Sequence, residues 1–286
     1  MRGRLRLRNL EGVLMCEFMA LCFARPISAD FSIREFARRG EENADGWGLA
    51  WYPDRSVAVV KEPIPWQASK YTGFLETYHG LLSAIYIAHV RHKTVGGALT
   101  HADTHPFVRE LGGREYCFAH NGTVTGFAEH LPLGRYRPVG ETDSEHLFCH
   151  LLEEVARRDG RLTGEAGWRW LYEKLSAMNR LGKVNCLLSD GERLFCYHDA
   201  AGHKGLALRK VRVRGHETRR FEDEEVRIDL GGESSDHGFV VATQPLSRSG
   251  WHRFGLGELI VLEGGVVRFS SHRSPSAPEF APRPAG

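Results

Sequence analysis

Val184-Asn-Cys-Leu-Leu-Ser-Asp-Gly-Glu-Arg-Leu-Phe-Cys-Tyr197 is the stretch that decides the fold class. Two short apolar runs, Val184 to Leu188 and Arg193 to Tyr197, flank Ser189-Asp-Gly-Glu192. Asp-Gly supplies the backbone freedom of a tight hairpin turn, so the runs read as antiparallel neighbours. Working outward, Gly46-Trp-Gly-Leu-Ala-Trp-Tyr52 and Val57-Ala-Val-Val-Lys61 form a second hairpin around the turn Pro53-Asp-Arg-Ser56. Ile85 to Arg91 reads as a buried strand with polar residues at its end. Tyr116 to His120 reads as another, closed by Asn121-Gly122 as a turn. Phe239 to Thr243 and Glu258 to Phe269 add further strands.

Helical spacing occurs in separate blocks. Tyr71 to Leu82 has it. Thr142 and Glu145 have the spacing of a capping box, after which Leu147, Leu151 and Val155 continue one apolar face. Trp168 to Leu181 forms another helix, with Gly182 just past its end. Hairpins and helix pairs without βαβ alternation predict an antiparallel α+β fold: two sheets face to face, covered by helices.

The chain has 286 residues, 42% hydrophobic and 26% charged, which favours one large domain able to bury its own core. Net charge is +2, from 38 basic and 36 acidic residues, so nothing in the balance directs the chain to nucleic acid or a membrane surface. Lys210-Val-Arg-Val-Arg214 is locally basic, but its alternation fits a half-buried strand, and the acidic run Glu222 to Glu225 follows. No stretch approaches the ~20 apolar residues of a membrane-spanning helix. None of the six cysteines is spaced CxxC and no secretory signal run opens the chain, so the expected compartment is the reducing cytoplasm.

Residues 1–15 stand apart. Arg2, Arg4, Arg6 and Arg8 alternate with Gly and Leu. The segment is read as a removable or misassigned extension: a targeting peptide, a propeptide or a start placed too far upstream. Met15-Cys16 favours the last, because Met before a small residue is commonly removed. The main domain is expected over 16–270. Residues 271–286, rich in Pro, Ser and Ala, are expected to be disordered.

Polar residues gather at predicted strand ends in four places: Met15-Cys16, Ala88-His-Val-Arg-His-Lys-Thr94, Ala119-His-Asn-Gly-Thr123 and Gly140-Glu-Thr-Asp-Ser-Glu145. Strand ends are where a rigid sheet presents groups to a cleft. Taken singly, each has a plain structural reading: a turn, a surface Arg, an inert Cys, a helix cap.

In this order and spacing, with Asp45-Gly-Trp-Gly-Leu-Ala-Trp51, Thr104-His-Pro-Phe107, Leu188-Ser-Asp-Gly191 and Ala242-Thr-Gln-Pro-Leu246, they resemble the class II glutamine amidotransferases. Within them the chain is most similar to the small stand-alone YafJ-like branch, and the likeness runs from Met15 to about Phe269. The resemblance implies an α+β fold, the four-layer αββα sandwich of the N-terminal nucleophile hydrolases. It implies that Cys16, exposed as residue one, attacks the side-chain amide of glutamine, with its own α-amine as base; a free α-amine has a pKa of about 8. Asn121 and the Gly122 N–H would form the oxyanion hole. Arg91 would hold the substrate carboxylate in a two-pronged grip and Asp143 its ammonium. Thr94 would assist the carboxylate, although Thr94-Val95-Gly96 departs from the Thr-His-Gly of the synthase-fused members. Trp47 and Gly48 would shape the pocket wall, or else belong to the core.

Neither cofactor nor metal is implied. The fifteen histidines include His89, His92, His101, His105 and His120 near the cleft segments and His146/His150 on one helix face. Without HExxH or a matching carboxylate pattern they read as hydrogen-bonded or solvated groups, with His89 and His105 ordering the Arg91 strand and the pocket loop. The partners expected are glutamine or another γ-glutamyl compound and a separate ammonia-accepting enzyme. Two alternatives keep the fold: hydrolysis of a non-glutamine γ-glutamyl amide, as in ergothioneine synthesis, or a non-catalytic binding module if Cys16 is never freed.

Overall fold

The computed structural model describes residues 17–32, 45–65, 68–78, 80–91, 100–213, 219–222, 227–231, 236–245, 249–277 and 280. The strands that matter here are β1 (Glu17–Ser32), β2 (Gly46–Trp51), β3 (Ala58–Glu62), β4 (Leu82–Arg91), β5 (Phe107–Leu111), β6 (Arg114–Val124), β7 (Gly182–Ser189), β8 (Arg193–Tyr197), β9 (Ala207–Val213), β10 (Arg219–Glu222), β11 (Arg227–Gly231), β12 (Asp236–Ala242), β13 (His252–Arg253), β14 (Leu259–Glu263) and β15 (Val266–Ser270). They form two antiparallel sheets. The first runs β13-β9-β12-β1-β4-β2-β3, with β11 and β10 added at the far end of β1; the second runs β15-β14-β8-β7-β6-β5. The hairpin of β7 and β8 around Asp190-Gly191 is present, with Gly191 at φ 84°.

Strand alternation sorts the core. Phe18, Ala20 and Cys22 of β1, with Ile85 and Ile87 of β4, pack against Cys117, Ala119, Leu187, Cys196 and Ile260 of the other sheet. Successive strand residues face opposite ways, so Met19, Leu21 and Phe23 bury the outer face of the first sheet with Tyr86, Ala88 and Leu75. Leu75 lies on α1 (Lys70–Thr77). A short α2 (Phe127–His130) follows β6. On the outer face of the second sheet, Phe118, Val184, Cys186 and Leu188 pack with Leu147, Phe148 and Val155 of α3 (Asp143–Arg158) and with Trp168, Leu171 and Leu175 of α4 (Gly164–Asn179). Past β15, Phe280 is buried in the cluster between the sheets, and its carbonyl accepts from Lys210 Nζ at 3.3 Å. Among the described residues no helix is long and apolar enough to cross a membrane.

Two local expectations are corrected. The helical spacing of Tyr71 to Leu82 is realised only over Lys70–Thr77; Tyr78 caps it in extended conformation and Leu82 opens β4. Sheet pairing there overrides a pattern that local propensity alone would continue. Asn121-Gly122 is not a turn. β6 runs through both residues to Val124, paired with β7 as Asn121↔Asn185 and Gly122↔Val184. Gly122 is needed for space, since a Cβ there would lie 1.9 Å from the Lys183 carbonyl oxygen.

The capping box is half realised. Thr142 Oγ1 accepts from the Glu145 N–H at 3.2 Å. The Glu145 carboxylate turns to Arg109 and to the N–H groups of Val139 and Gly140, at 3.1 and 2.7 Å.

Candidate active site

Among the described residues, three of the four expected site segments, at the ends of β4 and β6 and at the start of α3, are linked at one end of the two sheets. In the first sheet the registers Glu17↔Val90 and Gly46↔Arg91 bring the starts of β1 and β2 beside the end of β4. Arg91 Nη1 donates to the Asp103 carbonyl at 2.5 Å. The Asp103 carboxylate accepts from Thr100 Oγ1 at 2.6 Å and from the Glu141 N–H at 2.8 Å. Burial works against its charge, but these bonds and the Arg91 guanidinium outweigh that and hold the carboxyl below its ordinary range. Two residues past Glu141, Asp143 opens α3, and its Oδ2 accepts from the Val124 N–H at 2.7 Å. Arg91, Asp143 and the end of β6 are thus joined by one path of hydrogen bonds and short chain segments.

The direction of the β6 amides follows. Thr125 N–H donates toward β7, to the Leu181 carbonyl at 3.2 Å, while Val124 N–H points the other way, to Asp143. Amides two residues apart on a strand point alike, so the Gly122 N–H faces the edge that carries Asp143. On the partner strand the Val184 N–H goes to Asp199 Oδ2 at 2.8 Å, as this register requires. The Asn121 side chain, 2% exposed, shares the face between the sheets with Cys117 and Ala119.

His120 stands on the other face. Its Nε2 is 3.1 Å from the Lys183 carbonyl, which can only accept, so Nε2 carries the proton and Nδ1 accepts from Ser144 Oγ at 2.9 Å. Burial pushes its pKa down against the pull of Asp143, so the ring is neutral.

A row across the first sheet seats the pocket loop. Gly48 pairs with Lys61 on one side and His89 on the other. Against this row lies Thr104-His-Pro106: Lys61 Nζ donates to the carbonyls of Thr104 (2.6 Å) and Pro106 (3.2 Å), and the His105 ring stacks on His89 at 4.2 Å between centroids. Burial lowers the Lys61 pKa to about 8 and pushes that of His105 well down, with the neighbouring His89 adding to the latter. A Cβ on Gly48 would meet the His105 carbonyl oxygen at 2.2 Å. Gly48→Ala is therefore expected to cost about 3 kcal/mol, the upper part of the usual range for overpacking, because backbone must move. Gly73→Ala in α1, where an added Cβ meets nothing within 4 Å, should be neutral or stabilising by ~0.5–1 kcal/mol. Urea unfolding of the two variants side by side checks the contrast.

Trp47 is fully buried and packs with the outer-face cluster, on the opposite side of β2 from Gly48. Cys16 and Thr94 lie outside the described residues. The helix histidines bond to loop carbonyls: His146 Nε2 to Leu131 and His150 Nδ1 to Pro132, both at 2.8 Å.

Sequence reasoning missed Asn185 and Asp199. Asn185 lies opposite Asn121 and is fully buried; an Asn inside an apolar strand was the available signal. Asp199 gives both oxygens to backbone N–H groups, which nothing in its local sequence announces.

The model of the class II glutamine amidotransferases matches residues 15–283. The chain belongs to the class II glutamine amidotransferase family. It is 40% identical over 91% of its length to an uncharacterized protein of Methanocaldococcus jannaschii, covering 72% of that protein. It is 32% identical over 86% of its length to the whole of YafJ from Escherichia coli (strain K12), whose name marks it as a candidate glutamine amidotransferase. The crystal structure of a predicted glutamine amidotransferase from Pseudomonas aeruginosa PA01 matches with a TM-score of 0.70 and 31% identity, over 89% of this chain and 100% of that one. The glutamine phosphoribosylpyrophosphate amidotransferase of B. subtilis shares the fold over 48% of its length, with a TM-score of 0.59 and 15% identity.

The five described cysteines are free and buried. Burial raises every one: Cys22 to about 12, Cys149 to about 11, Cys117 and Cys186 further upward, and Cys196 well above the ordinary thiol range. Such thiols hold almost no thiolate at neutral pH and are inert. Native protein treated with iodoacetamide is expected to take up one label per chain, on the Cys16 peptide, and denatured protein to take up all six. Intact mass and peptide mapping check the count, and prompt labelling of a buried cysteine would contradict it.

Proposed function

We propose that the protein hydrolyses the side-chain amide of glutamine through a thioester on Cys16, within a four-layer αββα sandwich. The observation that supports the reading is the path of hydrogen bonds and short chain segments from Arg91 through Asp103 and Glu141 to Asp143 and Val124, which links the two residues proposed to hold the amino-acid head with the strand of Asn121 and Gly122. Arg91 takes the α-carboxylate and Asp143 the α-ammonium, with Thr94 assisting. The amide carbonyl then reaches Asn121, whose side-chain amide and the Gly122 N–H stabilise the oxyanion. Gly48 shapes the wall by letting the His105 loop approach, and Trp47 backs it. The α-amine of Cys16 takes the thiol proton and returns it to the leaving ammonia. Water then cleaves the thioester to glutamate.

The test is protein beginning at Cys16, assayed for glutamate and ammonia. Equal yields are expected, with loss of both in Cys16→Ala. Arg91→Ala should raise KM about 10- to 100-fold with kcat largely kept, because a charged hydrogen bond to substrate is worth ~1.5–3 kcal/mol. Turnover of γ-glutamyl amides with no ammonia from glutamine would transfer the same machinery to a different leaving group.

A further inference from the structure

Glu17 follows the nucleophile directly, and its side chain is 2% exposed. Thr243 Oγ1 donates to its Oε2, Gln244 Nε2 donates to its Oε1 at 3.0 Å, and Lys204 Nζ stands 4.0 Å from the same Oε1. Thr243 also clasps the strand, its N–H donating to the Phe18 carbonyl at 3.2 Å and its hydroxyl accepting from the Phe18 N–H at 3.4 Å. A buried carboxylate held this closely fixes the start of β1.

Lys204 has φ 62°, the only positive φ at a non-glycine among the described residues. Such a backbone costs of order 1–3 kcal/mol and persists only where its surroundings enforce it. Here they do. Asp199 Oδ1 accepts from the N–H groups of Ala201 (2.9 Å) and His203 (3.0 Å), while its Oδ2 accepts from the Val184 N–H and from Asn179 Nδ2 (2.7 Å). Asn185 Oδ1 accepts from the Asp199 N–H at 2.9 Å, and Asn185 Nδ2 donates to the His203 carbonyl. Asn185 faces Asn121 across the β6–β7 pair. A strained lysine is thus tied to the partner of the Asn121 strand and reaches across to the strand that starts beside Cys16.

We infer that Lys204 is a positioning residue: anchored through the Asp199 turn to β7, its ammonium grips Glu17 and fixes the start of β1, and with it Cys16, against the donors of Asn121 and Gly122. This rests on the roles proposed above for Cys16 and Asn121. Misplacing reacting groups by about 1 Å can cost 10²-fold in rate, so the effect falls on kcat.

Lys204→Gly removes the ammonium and relieves the φ. It should leave Tm unchanged or higher, lower kcat at least tenfold and leave KM within twofold. Lys204→Arg should restore most of kcat. Glu17→Gln should lose a similar amount, and the double variant should be no worse than either single one, as expected for two groups acting as a unit. The rate of Cys16 alkylation by iodoacetamide, followed by intact mass, reads the same geometry without turnover and should fall at least threefold in Lys204→Gly. Full kcat with unchanged alkylation overturns the inference, as does a raised KM with kcat kept, which would put Lys204 on the substrate. A wild-type protein inert toward glutamine, whose Cys16 alkylation still slows in Lys204→Gly, would sink the glutamine reading and leave the positioning role standing.

Discussion

Asn121→Ala is expected to lower kcat about 10²–10³-fold while KM stays near its starting value, the loss that follows removal of one oxyanion donor. The substrate head is held elsewhere in the proposed arrangement, by Arg91 and Asp143. In that proposed arrangement the Asn121 amide binds the substrate oxygen most strongly once the carbonyl becomes tetrahedral, so the lost contact belongs to the transition state. The backbone of β6 at this point is held by its register with β7, which truncation at Cβ leaves in place. Circular dichroism of the variant should therefore match wild type. Gly122→Ala makes the useful contrast: its Cβ would strike the Lys183 carbonyl at 1.9 Å and His120 Nε2 at 2.8 Å, so loss of the folded state is expected in place of a selective loss of rate. Steady-state kinetics with glutamine decide the first point. A raised KM with kcat retained would move Asn121 from the oxyanion to the substrate head.

The same pair of residues marks where the sequence could be read and where it could not. Asn-Gly is a strong turn signal, because local propensity for positive φ dominates when neighbours are unknown. What sets Gly122 is a contact with Lys183, distant in sequence and adjacent in space, and no local pattern encodes it. Gly48 is alike: its need for hydrogen at the α-carbon comes from the His105 carbonyl. By contrast the β7–β8 hairpin, the alternation of β9 and the Thr142 cap were legible, since periodicity, turn chemistry and capping act within a few residues. Arg91, Asn121 and Asp143 stand out in the sequence as ordered motifs. The contacts of Asn185, Asp199, Glu17 and Lys204 do not, because each is a hydrogen bond or ion pair to a residue remote in the chain, and only the folded registers bring those partners together.

The protein that begins at Cys16 is expected to be active, and protein retaining residues 1–15 to be inactive toward glutamine. The reason is electronic. A free α-amine has a pKa of about 8 and can accept the thiol proton near neutral pH. In a peptide bond the nitrogen lone pair is delocalised into the carbonyl, so the same atom has no useful basicity. Among the described residues, the histidines, carboxylates and Lys61 near the site are already engaged, Lys61 Nζ with the Thr104 and Pro106 carbonyls. Burial holds the His120 and His105 rings in the neutral form, but Nε2 of His120 is spent on the Lys183 carbonyl and Nδ1 on Ser144, and His105 stacks on His89 at the pocket loop. Glu17 is committed to Thr243 and Gln244, and Asp143 to the Val124 N–H. General-base assistance typically contributes 10²–10⁴-fold, so a blocked amine should cost at least that much. The comparison uses two preparations, one shown by intact mass to start at Cys16 and one with Met1 and an uncleaved junction, assayed for ammonia release side by side. Equal rates would remove the amine from the mechanism and require a side-chain base. A loss confined to the longer protein, reversed by cleavage ahead of Cys16, would make exposure of the terminus the step that switches the enzyme on.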